Sequence, residues 1–386
     1  MKTLVTGGTG FIGRHLVDRL AAAGTSVRCL VRPLSDTAAF LGRPEIELVH
    51  GDVGDRAAAA AALDRVDTVY HLAIDYSRQT ADDLLPLLDA CRERGIRRFV
   101  YFSSVAVAGT PPRGGAVSES TPCRPTTEYG RQKLLAEEAL LDAHAREGFP
   151  VVIVRPTSVY GPGETNFWLP LFRAVHGRRL PARFGDGANL LSLCFIDNLL
   201  DGVALAAQSE SAIGRIYILS DARPYSCREV IDAIARASQV PPPRRAIPNA
   251  LAMPVARVLD YLWRFDVIEP VTPFLPGRVR QWMAHCPCGV DRAHRELGYR
   301  PAVDLAEGVR RTVDWYRGHG FLYRTLPWGG NAPDASAPAK SLRPRARALD
   351  FAGRSATLGW KLVALSWRVP RKIVRRVRRR LRWEPA

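Results

Sequence analysis

Lys2 to Thr6 is a short apolar run that reads as a buried strand. Three glycines follow at Gly7, Gly10 and Gly13, and then a helix-compatible stretch from Arg14 to Ala23. This opening restricts the possible folds more sharply than any later segment. A strand that turns on glycine and re-enters as a helix aims backbone N–H groups and the positive end of a helix at one point in space. That point suits a pyrophosphate. Glycine supplies positive φ at the turn and lets backbone and ligand come close at the helix start. Gly7, Thr9, Gly10, Phe11, Ile12 and Gly13 are therefore the expected cradle for a dinucleotide.

Val27 to Val31 reads as a second strand. In a doubly wound sheet the residue at its end faces the adenosine ribose, where an acid binds a 2′-hydroxyl and an arginine accommodates a 2′-phosphate. The sequence offers Arg32 and no acid, which favours NADP over NAD. Further apolar runs at Ile46–Val49, Thr68–Ala73, from Phe99 and at Val151–Val154 alternate with helical stretches. These run over Ala57–Leu63, from about Thr80, and from Glu128 to about Arg146. The alternation predicts an α/β fold, a doubly wound parallel sheet with helices on both faces.

Tyr129 and Lys133 are four residues apart, so they share one face of the long helix. A tyrosine hydroxyl, with a pKa of about 10 in water, is a poor base near neutrality. A neighbouring ammonium favours the phenolate and brings it into working range. Ser103 and Ser104 lie at the C-terminal end of the preceding strand, where ligands bind in such sheets.

Thr6-Gly7-Gly8-Thr9-Gly10-Phe11-Ile12-Gly13, with its Gly-x-x-Gly-x-x-Gly spacing, resembles the extended short-chain dehydrogenase/reductase family. So do Ser103-Ser104-Val-Ala-Val-Ala-Gly109, Tyr129-x-x-x-Lys133 and Arg155-Pro156-Thr-Ser-Val-Tyr160-Gly161-Pro162-Gly163. Within that group the chain looks like epimerases, dehydratases and 3β-hydroxysteroid-dehydrogenase-like members over roughly residues 1–320. The resemblance implies a Rossmann domain over 1–160, with 195–222 returning to it, and an interleaved substrate region over 161–325.

Residue by residue, the resemblance implies that Asp52 and Val53 meet the adenine, and that Leu72, Ala73, Ser103 and Pro156 line the cofactor. Lys133 would hold the nicotinamide ribose, Ser104 the substrate oxygen, and Tyr129 would move the proton. The sequence departs from the pattern at Thr80, which stands where the family has an asparagine on the next helix, and at Ala108, which stands for a tyrosine. His71 is expected to be structural. Asp197 and Asn198 are expected to cap a helix, and Ser226 with Glu229 forms a capping-box start for the helix to Ala237.

The implied activity is NAD(P)-dependent hydride transfer at a carbinol carbon of a nucleotide sugar. A 3β-hydroxysteroid or lipid-alcohol dehydrogenase is the alternative. A non-catalytic, membrane-tethered NAD(P) sensor is a rival from another class.

The net charge of +17 is unevenly placed, because residues 341–386 carry 14 Lys/Arg against Asp350 and Glu384. After Pro370, Ile373, Val377 and Leu381 recur every four residues amid Arg and Lys. This pattern suits a helix lying on anionic lipid rather than nucleic acid. Residues 326–342 read as a flexible linker and 343–386 as the basic tail.

The seven cysteines show no Cys-x-x-Cys pairing, which points to reduced thiols in a cytosol. His285-Cys286-Pro287-Cys288 is expected to be ordinary packing, and no metal site is expected. A glycine loop starting at residue 7 leaves no room for a cleaved leader. Expected partners are a small-molecule substrate, an anionic membrane surface on the cytoplasmic side, and a second copy of the chain.

Overall fold

The computed structural model describes residues 2–74, 81–109, 115–180, 182–264 and 276–322. Thr80, the linker and the basic tail lie outside the described residues.

The sheet strands are β1 (Lys2–Thr6), β2 (Ser26–Val31), β3 (Ile46–His50), β4 (Thr68–His71), β5 (Arg98–Phe102), β6 (Val151–Pro156) and a seventh at Ile216–Leu219. Their spatial order is β3-β2-β1-β4-β5-β6 followed by Ile216–Leu219, and every neighbouring pair is parallel. The direction of winding reverses between β1 and β4. A crevice opens there at the carboxyl ends of the strands.

Successive side chains on each strand point to opposite faces, and both faces are covered. Val5, Cys29, Val100, Phe102 and Val152 pack with α1 (Phe11–Ala22). Leu4, Leu30, Val69, Phe99, Tyr101 and Ile153 pack on the other side. Their covering helices are α2 (Arg56–Ala62), α3 (Leu85–Arg94) and α4 (Glu128–Glu147). This is the expected doubly wound Rossmann arrangement. Buried Arg28 on β2 donates to the carbonyls of Ala62, at 3.0 Å, and Asp64, at 2.8 Å, which caps the C-terminal end of α2.

Beyond β6 the chain forms α5 (Leu169–His176), α6 (Ile196–Gln208), α7 (Cys227–Ala237), α8 (Asn249–Arg264), α9 (Pro276–Met283), α10 (Asp291–Leu297) and α11 (Leu305–Gly318). The capping box expected at α7 is present: Ser226 Oγ accepts the Glu229 N–H at 3.1 Å and the Glu229 carboxylate accepts the Ser226 N–H at 2.7 Å.

The caps expected from Asp197 and Asn198 are not formed. The helix begins at Ile196, so both residues already lie in its first turn. Asp197 instead pairs with Arg311 at 2.7 Å. Buried Asn198 bonds Asp221 and the backbone of Val303. Leu72 and Ala73, read as strand, lie just beyond β4.

Among the described residues all seven cysteines are free thiols. Cys286 and Cys288 bridge by backbone to Leu191 and Val117. No described helix is long and apolar enough to cross a membrane.

Candidate active site

The glycine loop has the geometry that its composition demands. Gly7 sits at φ +74°, and a Cβ there would lie 2.8 Å from the Ala73 nitrogen and the Leu72 carbonyl carbon. A Cβ at Gly13 would lie 2.2 Å from the Gly7 oxygen and 2.8 Å from the Gly8 Cα. Only glycine lets β1, the loop and α1 approach so closely.

Gly10 precedes α1 with no side-chain cap. The N–H groups of Phe11, Ile12 and Gly13 belong to the first turn, where no helical carbonyl can accept them. They open on the loop. Gly7, Thr9 and Gly10 line the crevice, and so do Arg32, Asp52, Val53, Leu72, Ala73 and Lys133. Phe11, Ile12, Gly13, Ser103, Ser104, Tyr129 and Pro156 are not part of that lining. Buried Pro156 ends β6 beside Leu219.

At one end of the crevice Arg32 is exposed directly after β2. The acid four residues on, Asp36, is held by Arg14 at 3.0 Å, and the Arg14 Nε donates to the Thr9 carbonyl at 3.0 Å. Asp52, which lines the crevice, accepts the Gly54 N–H at 2.9 Å.

At the other end, α4 carries Tyr129, Lys133 and Glu137 at four-residue intervals, on one face. The buried Lys133 ammonium donates to the Phe102 carbonyl at 2.6 Å and stands 4.8 Å from the centre of the Tyr101 ring. Burial pulls its pKa down to about 8, against the opposing pull of the Glu137 carboxylate. Behind it His71 is buried, bonded to Thr6 Oγ1 at 2.8 Å and stacked on Tyr101. Burial, and then the Lys133 charge, hold the imidazole down at about 3, so it stays neutral. His71 also lines the crevice.

Half-buried Tyr129 lies close enough to Tyr101 to help raise that phenol, after burial and Glu137. The α4 helix is seated by Gly130, where a Cβ would meet the Ala106 carbonyl oxygen at 2.6 Å. Ser104 Oγ accepts the Ala106 N–H at 3.2 Å and caps the short turn Val105–Ala108. Its hydroxyl proton is therefore still available to donate. The Ser103 hydroxyl is sealed in without a partner, whereas Ser104 is half-buried.

Sequence reading missed Tyr101 and the Glu137–Arg155 pair. Arg155 on β6 donates Nε and Nη2 to the two Glu137 oxygens at 2.9 and 2.5 Å. Glu137, at the third step of the four-residue period, was the available signal.

The profile of the NAD dependent epimerase/dehydratase family matches residues 3–220. The chain belongs to this family. Over 321 residues it is 30% identical to the 4-hydroxy-2-methyl-3-oxo-4-farnesyl-3,4-dihydroquinoline-1-oxide ketoreductase of Stigmatella aurantiaca, covering 80% of this chain and 95% of that protein. It is 26% identical to the decarboxylating sterol-4-alpha-carboxylate 3-dehydrogenase of Mus musculus, with 81% and 90% covered. Among solved structures it resembles DesIV, a dTDP-glucose 4,6-dehydratase of Streptomyces venezuelae with NAD and TYD bound. That match has a TM-score of 0.65 and 26% identity, covering 82% of this chain and 97% of that one. As a family member the protein is an NAD-dependent oxidoreductase of the epimerase, dehydratase and dehydrogenase type, acting on a small molecule.

The cradle fits the cofactor that the family implies. The uncapped first turn of α1 and the Cβ-free surface of the loop leave donors and space for a pyrophosphate at the crevice.

Proposed function

We propose that this protein is a pyridine-nucleotide-dependent reductase or dehydrogenase of an apolar, lipid-class carbinol or ketone. The observation that carries the chemistry is α4, which sets Tyr129 one turn from Lys133 with the Lys133 ammonium at the dinucleotide crevice. The lipid-class substrate is supported by the names of the ketoreductase and the sterol dehydrogenase, which the chain matches over nearly their whole lengths.

Gly7, Thr9, Gly10 and the first-turn N–H groups of Phe11, Ile12 and Gly13 hold the pyrophosphate. Asp52, Val53, Leu72 and Ala73 line the remainder of the cofactor's path. Exposed Arg32 favours NADPH, by offering a cation where a 2′-phosphate lies. When bound, the nicotinamide supplies or accepts the hydride. Ser104 donates a hydrogen bond to the reacting oxygen. In the reductive direction the Tyr129 hydroxyl gives its proton to that oxygen as the carbon receives hydride. Lys133, kept charged by Glu137, stabilises the phenolate that remains.

The test is turnover of a panel of long-chain β-keto compounds, 3-ketosteroids and nucleotide sugars, with NADPH and with NADH. Oxidation of NADPH by an apolar ketone is expected, and Tyr129→Phe should reduce it by about 10²–10⁴-fold. Turnover confined to nucleotide sugars would replace the substrate class. Full activity in Tyr129→Phe would remove the tyrosine from the chemistry.

A further inference from the structure

Outside the crevice, the outer side of α8 exposes several large apolar side chains. Leu251, Val258 and Tyr261 are 51%, 57% and 57% exposed, and Pro254 between them is also exposed. Their spacing of three, four and three places them in one stripe along the helix. The opposite side is anchored: Ala252 and Ala256 are fully buried in the main core. The stripe is thus presented by a helix whose inner face is already satisfied.

Arginines lie on the helix and shortly before it in the chain. Arg257 lies beside Tyr261 on the helix surface by periodicity. Arg244 and Arg245 lead into the helix through the short strand Arg245–Ile247. All three arginines are exposed, and none makes an ion pair among the described residues. The acid on the helix, Asp260, is half-buried.

We propose that the outward face of α8 docks on an anionic lipid bilayer. Large apolar side chains in a line, with one unpaired arginine on the same helix and two just before it, match the two layers of such a surface. Acyl chains take the stripe and anionic headgroups take the guanidinium groups. A helix lying flat also keeps its backbone hydrogen bonds intact, which is required at that depth. The docking does not depend on the substrate being a lipid.

The test is co-sedimentation of the full chain with phosphatidylcholine vesicles, made with and without phosphatidylglycerol. Two double variants are compared, Leu251→Gln with Val258→Gln, and Arg244→Glu with Arg245→Glu. Both pairs are exposed, so thermal melting should be unchanged. The apolar pair should weaken partition onto anionic vesicles about tenfold, the loss expected from removing roughly half the burial of two aliphatic side chains. The charge-reversed pair should bind phosphatidylglycerol vesicles more weakly than the wild type does. Because every variant keeps residues 341–386, binding through the basic tail alone would leave all proteins equal, and that result overturns the proposal. So would a wild-type dimer in vesicle-free sedimentation that the Leu251/Val258 variant converts to monomer, because a second copy would then be the occupant.

Discussion

Replacing Glu137 by glutamine separates the two jobs that the structure gives this carboxylate. Glu137 is 1% exposed and its partner Arg155 is 3% exposed. Two hydrogen bonds at 2.9 and 2.5 Å join α4 to β6 through them. Breaking a buried pair by neutralising one member costs about 3–5 kcal/mol, because the other charge is left uncompensated. Glutamine keeps the volume and one acceptor, so a loss near the lower end, about 3 kcal/mol, is expected. A domain with about 5–15 kcal/mol of stability survives that.

The second job is electrostatic. Burial lowers Lys133 to about 8 and Glu137 pulls it back up. Without Glu137 that support is gone, and Arg155 adds an unpaired positive charge nearby. Both changes lower the lysine pKa further. The charged lysine supports the phenolate, so activity falls as pH rises through the lysine pKa. In Glu137→Gln the alkaline limb of kcat/KM must therefore move to lower pH. Chemical denaturation gives the first number and a pH–rate profile the second. A lowered midpoint with an unmoved alkaline limb would sink the electrostatic role and leave only the brace.

Two further perturbations test the frame around the site. Gly13→Ala forces a Cβ to within 2.2 Å of the Gly7 oxygen, so the loop must move. Affinity for the reduced nicotinamide dinucleotide should drop by more than about tenfold in a fluorescence titration, whereas Gly24→Ala, with nothing within 4 Å, should lose only about 1 kcal/mol of stability through its φ of +75° and keep its affinity. Equal affinities in the two variants would contradict the close-approach reading. Asp221→Asn probes a buried acid raised to about 6, first by burial and against its bonds to Phe195, Asn198 and Tyr160. The folded state holds this proton more tightly than the unfolded one. Its contribution is therefore fully present below the unfolded pKa of about 3.8 and is lost as pH rises through about 6. Roughly two units correspond to about 3 kcal/mol. Because asparagine can still accept from the Phe195 N–H, the variant should be the more stable protein near neutrality, with the difference closing below about pH 4. A difference independent of pH would show that Asp221 is not the titrating group.

What could be read in the sequence follows the range of the contacts involved. The glycine loop, the alternation of strands and helices, the Tyr129–Lys133 spacing and the Ser226–Glu229 box are each fixed by residues within one or two turns of each other. Backbone geometry makes such features local, and the structure reproduces them. Asn198 looked like a cap because local rules reward that residue at a helix start. Its true partners, Asp221 and Val303, lie 23 and 105 residues away, and no local rule reaches them. The same holds for Arg155, whose partner Glu137 comes from a helix laid against the strand only once the sheet has formed.

The Tyr129–Lys133 spacing is of the first kind, which is why the sequence alone displays it. The part of the chain after β6 rests on the second kind: Tyr316 reaches back to the Glu164 carbonyl, and Arg173 Nε to the carbonyl of Phe321 at 2.6 Å. A pocket assembled from segments so far apart changes shape with any of them. Two relatives can therefore share Tyr129, Lys133 and the glycine loop and still choose different molecules.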